Sequence, residues 1–427
     1  MRPRIRLRWN RTAAGLTGAV LGAGAVLATV LLVPSAEPAP EPGTIRVLSG
    51  RDVSEGRQRG QLVEQWNALH PDGPRAEIVE TSGDADQQYA QARAAAQDGD
   101  EPAPSERVDV FNLDVTWTAE FAAAGYLLPI DSDTAGFLAE PLRSGAYDGV
   151  QYALPFNTDT GLLYYRGDLL TTPPTTWDEL AADASRVLAD SAVRAANPEL
   201  AAGIALQLAD YEGFSVNVME WVWGHGGDLG EGSSATDTAL RELDARLAGD
   251  DPLILRDSLR EREADGLAAF AEGRTVFLRH WPYAYRELAR AGMVPCGQPG
   301  RSYCVARLPG PGALGGQNLA VSAHTDQPVA ARELVEFLTD ARSQQLLFER
   351  GGFAATREVV YRDAKVRADY PYAGLLLDAV VNARRRPESP RYQRYSEALR
   401  GVVHPALSTP DTLDVTALRR ALDAALE

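Results

Sequence analysis

The amino-acid sequence predicts an α/β protein in two lobes, each a helix-flanked sheet. Three observations carry that expectation. Apolar runs of strand length alternate with amphipathic stretches of helical period, an order that builds parallel sheets with helices on their faces. The chain has 427 residues, too many for one ordinary core, so two lobes are expected. A content of 45% hydrophobic and 24% charged residues is that of a folded globular protein.

The first 43 residues stand apart. Arg2, Arg4, Arg6, Arg8 and Arg11 form a basic head, residues 12–33 carry no charge, and Pro34, Pro38, Pro40 and Pro42 mark a polar linker. Basic head, apolar run and linker in that order are an export signal. The 22-residue apolar run is also long enough to span a bilayer. Val33-Pro34-Ser35 is a poor cleavage site, so residues 12–33 either anchor the protein or are removed from it. With no cysteine near positions 30–40, there is no place for a lipid.

Past the linker, residues 44–49 read as a first strand. Residues 58–70 read as a helix with Leu62, Val63, Trp66 and Leu69 on one face, stopped by Pro71-Asp72-Gly73-Pro74. A strand is expected at 76–80, a helix at 84–97, a buried strand at 108–111 and a helix at 117–124 ended by Gly125. The second half continues with strands at 161–165, 203–208, 275–278 and 318–322. Helices are expected at 177–189, 214–225, 254–272, 328–339, 343–351 and 413–426. No internal repeat is present.

Charge and cysteine content narrow the function. The 42 Lys and Arg against 59 Asp and Glu leave a net charge of −17, which argues against a nucleic-acid partner and against attraction to anionic lipid. Cys296 and Cys304 lie eight apart around Gly297, Pro299 and Gly300. A turn between paired strands brings such a pair together, and an exported protein is expected to oxidise it. The five His residues show neither H-E-x-x-H spacing nor Cys partners, so no metal and no cofactor are expected. Gly310, Gly312 and Gly315 match a G-x-G-x-x-G string, but a strand follows them where a dinucleotide site needs a helix. No G-x-S-x-G elbow exists.

Six blocks in order resemble the bacterial family 1 extracellular solute-binding proteins. They are Val108-Asp109-Val110-Phe111 through Asp114 to Trp117; Leu154-Pro155-Phe156-Asn157-Thr158-Asp159 through Arg166 and on to Thr176-Trp177-Asp178; Val218-Met219-Glu220-Trp221; Phe270-Ala271-Glu272-Gly273 with His280-Trp281-Pro282-Tyr283; Gly315-Gly316-Gln317-Asn318; and Arg386-Pro387-Glu388. The likeness spans most of residues 44–400 and is greatest to the trehalose/maltose-binding branch. It implies a two-lobed periplasmic-binding-protein fold, of Venus-flytrap type, with ligand in the cleft at the hinge. It also implies an extracytoplasmic, monomeric substrate-binding protein, not an enzyme, with a carbohydrate ligand and the permease subunits of an ABC importer as partners. Lobe one would comprise 44–155 and 275–325, and lobe two 156–274 and 326–427.

A sugar presents hydroxyls and apolar C–H faces without charge, so its site needs carboxylates, amides and Arg beside flat aromatics. The resemblance assigns ligand contact to Asp114, Asp159, Glu220, Trp281, Tyr283, Gly315, Gly316 and Arg386, with Glu55 matching an acidic contact near the N-terminus. Asn157 lies in the same segment as Asp159. Gln317 stands where the branch often carries an aromatic. Each has a plainer alternative: Asp114 as a helix N-cap, Asp159 as a turn residue, Glu220 and Arg386 as solvated charges, and Trp281 and Tyr283 as core aromatics. Pro282 between the two aromatics breaks regular structure and favours a cleft. Two other functions fit the same residues: a glycoside hydrolase using Asp114, Asp159 and Glu220 as acid and base, and a sensing ectodomain without transport.

Overall fold

The computed structural model describes residues 43–52, 56–97, 107–231, 233–248, 252–409 and 412–427. The strands among them are β1 (Thr44–Ser49), β2 (Arg75–Glu80), β3 (Val110–Asp114), β4 (Ala146–Tyr147), β5 (Val150–Gln151), β6 (Ala153–Thr160), β7 (Leu162–Arg166), β8 (Ala202–Ala205), β9 (Thr275–His280), β10 (Val294–Pro295), β11 (Ser302–Arg307) and β12 (Leu314–Val321). One sheet runs β2-β1-β3-β12-β6, a second runs β10-β11-β7-β9-β8, and β4 and β5 form a ribbon.

In the first sheet β1 pairs parallel with both β2 and β3. Parallel neighbours need a crossover, supplied by helices Gln58–Leu69 and Ala85–Gln97. The first of these buries Leu62, Val63 and Trp66 along one stripe. Leu69, expected on that face, is exposed in the last turn; the ring of His70 stacks on Trp66 instead, with centroids 3.7 Å apart. β12 lies antiparallel between β3 and β6. All of it except Gln317 is buried, as a strand covered on both faces should be.

In the second sheet β7 pairs antiparallel with β9 and β11, and β8 pairs parallel with β9. Helix Glu212–Gly224 packs against this sheet and is buried on every side, with Phe214, Val218, Met219, Trp221 and Val222 in the apolar cluster. Each sheet is covered on both faces by its own apolar clusters.

Sheet membership differs from the division expected from sequence. β9 and β11 flank β7 in the second sheet, and of residues 275–325 only β12 joins the first. Helix Pro328–Leu338, expected in the second lobe, buries Ala331, Leu334 and Val335 in the first. The strand signal says that β9 is buried; which neighbour it pairs with is decided by tertiary packing.

The chain crosses between lobes at Gly161, again over 308–313, and again over 347–356. The first two crossings touch, since a Cβ on Gly312 would stand 2.8 Å from the Gly161 carbonyl oxygen. Cys296 and Cys304 form a disulfide beside β10 and β11, with Cα atoms 4.8 Å apart. No helix among the described residues is long and apolar enough to cross a membrane. The basic head and the apolar run 12–33 lie outside the described residues.

Candidate ligand-binding cleft

Open α/β sheets present their ligand-contacting loops at the carboxyl ends of parallel strands. The first sheet does so with Arg51 after β1 and Asp114 at the end of β3. β6 and the antiparallel β12 bring Asn157, Asp159 and Gly315-Gly316-Gln317 to the same edge. Facing them from the second lobe are Tyr211 and Glu212 at one helix start, Arg262 and Glu263 at another, and Trp281 and Tyr283 after β9. A cavity of about 410 Å³ lies between the two sets.

Nine residues expected from sequence line this cavity: Asp114, Asn157, Asp159, Trp281, Tyr283, Gly315, Gly316, Gln317 and Arg386. Asp114 Oδ1 accepts the Thr116 N–H at 2.9 Å and the Thr116 hydroxyl at 2.7 Å, which closes a turn ahead of helix Thr118–Ala123; the N-cap position of that helix is Trp117 and not Asp114. The same oxygen accepts Arg386 Nη2 at 2.9 Å. Arg386 is buried and not a solvated charge. Its Nη1 donates to Glu212 Oε1 at 2.7 Å, and Glu212 also accepts the hydroxyls of Tyr392 and Ser396. Burial alone would favour a neutral Arg386; Asp114, Tyr392 and Glu212 outweigh it and hold the guanidinium charged.

Asp159 is a strand residue and not a turn residue. Asn157 Nδ2 donates to its Oδ2 at 3.2 Å, while Oδ1 is buried without a protein partner. Burial pushes the carboxyl from 3.8 to about 7, against the pull of Arg59. The folded state therefore holds this proton more tightly than the unfolded chain does, and ligand-free stability falls as pH rises from about 4 to about 7. Asp159→Asn is expected to remove that component from urea denaturation curves across the range. An identical pH profile in the variant would show that Asp159 is already ionised.

The two glycines have separate reasons. A Cβ on Gly315 would press the Trp281 ring at 3.1 Å. Gly316 has φ +114°, and a Cβ there would stand 2.3 Å from the Asn157 carbonyl oxygen. The register of β12 on β6 shifts next to them, between Gln317 and Asn318. Gln317 Oε1 accepts Arg59 Nη2 at 2.7 Å and Asn112 Nδ2 at 3.3 Å, which turns the side-chain carbonyl toward the first lobe.

Trp281 and Tyr283 follow the end of β9 and precede helix Ala284–Arg290, with Pro282 between them. The indole N–H donates to Glu263 Oε1 at 3.3 Å, and the Arg279 guanidinium lies over the ring, 4.0 Å from its centroid.

Glu220 is not brought to the cavity. It is 3% exposed, forms two bonds to Arg279 and accepts the Ala313 N–H at 2.8 Å. The helix that carries it is buried on every side, so a carboxylate in its middle meets a buried partner and not solvent. Glu55 lies outside the described residues.

Several cleft residues escape sequence reasoning, among them Arg59, Glu212, Arg262, Glu263 and Phe353. Residues 254–272 read as one helix, which hides Arg262 and Glu263 inside it; the α-helix begins at Glu263. Their usable signal is position, since helix starts gather at the ligand edge of such sheets. Arg262 also pairs with Asp84 across the cleft, and Arg400 Nη1 meets Asp86 Oδ2 at 2.7 Å.

A sequence profile described as bacterial extracellular solute-binding protein matches residues 61–372. A Deinococcus radiodurans protein described as a probable ABC transporter-binding protein is 32% identical over 326 residues, covering 70% of this chain and 75% of that one. A maltotriose-binding protein of Pyrococcus abyssi is 34% identical over 125 residues, 28% of this chain and 25% of that one. Among solved structures, maltose-bound MalE3 of T. maritima superposes with a TM-score of 0.78 at 27% identity, covering 90% of this chain and all (100%) of that one. The GacH receptor of Streptomyces glaucescens superposes at 0.74 with 24% identity, covering 90% and 98%. The two-lobed architecture, the cleft between the lobes and the profile match agree, and the chain belongs to the bacterial extracellular solute-binding proteins, a family of substrate-binding components of ABC transporters and not of enzymes.

Proposed function

We propose that this protein is the carbohydrate receptor of an ABC importer, that its ligand is a disaccharide of the trehalose or maltose type, and that closure of the two lobes about their crossings traps it. The observation that carries this reading is the composition of the cleft. Carboxylates and Arg386 stand ready for hydroxyl groups, and Trp281 and Tyr283 offer flat faces for sugar rings, around about 410 Å³ of space. That volume falls within the range of small-ligand sites. Relatives named for maltose and maltotriose support the class of ligand.

Closure is a hinge motion in which ligand, by touching both lobes, favours the closed population. Permease subunits then meet the closed form. The basic head and the apolar run 12–33 support a receptor outside the cytoplasm, with that run either kept as an anchor or removed during export. The test is a thermal-shift screen of the purified protein against mono- and disaccharides. A sugar present at about 100 times its Kd should add about 2.7 kcal/mol to the stability of the native state. A peptide or a polyol that raises Tm where no sugar does would sink the carbohydrate reading.

A further inference from the structure

Glu220 and Arg279 form a buried pair that lies outside the cavity and touches both the hinge and the indole of Trp281. The two side chains are 3% and 2% exposed. Arg279 Nε donates to Glu220 Oε2 at 2.7 Å and Nη2 to Oε1 at 2.8 Å. Glu220 Oε1 also accepts the Ala313 N–H, at the end of the second crossing. The first crossing sits on the same carboxylate, since a Cβ on Gly161 would stand 2.3 Å from Glu220 Oε1. On its other side the Arg279 guanidinium lies over the Trp281 ring, 4.0 Å from its centroid, and its Nη1 donates to Gln207 Oε1 at 3.3 Å. One line of contacts thus joins the first two crossings to the indole.

Stability alone is a weak reason for such a pair, because well-packed apolar residues in its place are often neutral or stabilising. Its chemistry suits positioning. A guanidinium is planar, pairs with a carboxylate through two parallel bonds and stacks on an aromatic face, and Lys does neither. The Glu263 bond at the indole N–H fixes the ring's rotation in its plane.

We propose that Glu220 and Arg279 are positioning residues for ligand capture: Glu220 holds Arg279 over one face of Trp281, leaving the other face for the ligand, and through Ala313 ties this platform to the segments that cross between the lobes. The proposal rests on the reading of the cleft as a carbohydrate site. It predicts that the pair acts on affinity through Trp281 and not independently of it.

The test is a double-mutant cycle on the full-length protein, with maltose and trehalose as probes and calorimetry as the readout. The emission of Trp281 itself is obtained as the difference from Trp281→Phe. Glu220→Gln combined with Arg279→Leu removes the pair without leaving an unpaired buried charge. Affinity should fall at least tenfold on this change in the otherwise native protein, but less than twofold in a Trp281→Ala background. In the ligand-free protein Trp281 should become more accessible to acrylamide. Equal losses in the two backgrounds, or no loss in either, overturn the proposal. Should the paired variant not fold, Arg279→Lys, which keeps the charge facing Glu220 and lacks the planar face, is measured by the same cycle with the same expected and contrary results. If neither sugar binds the native protein, the trehalose or maltose reading fails on its own. The quenching comparison then still decides, and an unchanged Trp281 in the paired variant overturns the positioning role.

Discussion

Arg386→Met should lower the free energy of unfolding by about 3–5 kcal/mol, the scale of leaving a buried charge without its partner. Arg386 is enclosed between Asp114 of the first lobe and Glu212 of the second. Burial already pushes the Glu212 carboxyl up, and Arg386 is the largest influence opposing that shift. With the guanidinium gone, Glu212 takes a proton more readily and the protonated acid needs no cation. The deficit should therefore be largest near neutral pH and shrink on acidification, which urea denaturation of both proteins at pH 7.5 and pH 5 reads directly. A loss below about 1 kcal/mol at neutral pH would mean that the pair is solvated and contributes as little as an ordinary surface ion pair. Sugar binding should weaken as well, because Arg386 joins the two halves of the cleft.

Trp281→Ala should weaken sugar binding by about 1–3 kcal/mol, the scale of losing much of a buried aromatic contact. The indole is held on one face by Arg279 and at its N–H by Glu263, and Gly315 lets it lie against the first lobe. Truncation removes the surface and leaves the Arg279–Glu220 pair intact, so the effect should appear in affinity far more than in Tm. Calorimetry with the best ligand of the thermal-shift screen measures it. Unchanged affinity would place the ring outside the sugar's reach.

The regular elements were legible where their causes are local. Helix Trp177–Ala189 announces itself through Thr176, whose side chain accepts the Glu179 N–H at 3.1 Å, and helix Gln58–Leu69 through the spacing of Leu62 and Trp66. β6 was not legible. Pro155 and the polar run Asn157-Thr158-Asp159-Thr160 look like a turn, but β6 is an edge strand, where proline is tolerated. The cleft was half legible. Asp114, Asp159 and Trp281 stand in recognisable blocks, whereas Glu212, Arg262 and Arg59 come from helix starts whose meeting depends on how the lobes fold. Glu220 shows the limit most clearly, since a carboxylate just ahead of Trp221 and Trp223 looks the same whether it meets a sugar or a buried arginine.

The second sheet, from β7 to β11, interrupts the first between β6 and β12. β12 is moreover an interior strand, with β3 on one side and β6 on the other. A chain that emerges from its N-terminus therefore has every strand of the second sheet available at Arg307, while the first must wait for Val321. In that interval β3 presents an open edge through Phe111 and Leu113, the kind of edge that invites pairing with another chain, and closing it requires contacts distant in sequence, which form slowly. A change in β12 that delays its insertion would thus be felt during biogenesis, as lost yield, before it is felt in the finished receptor.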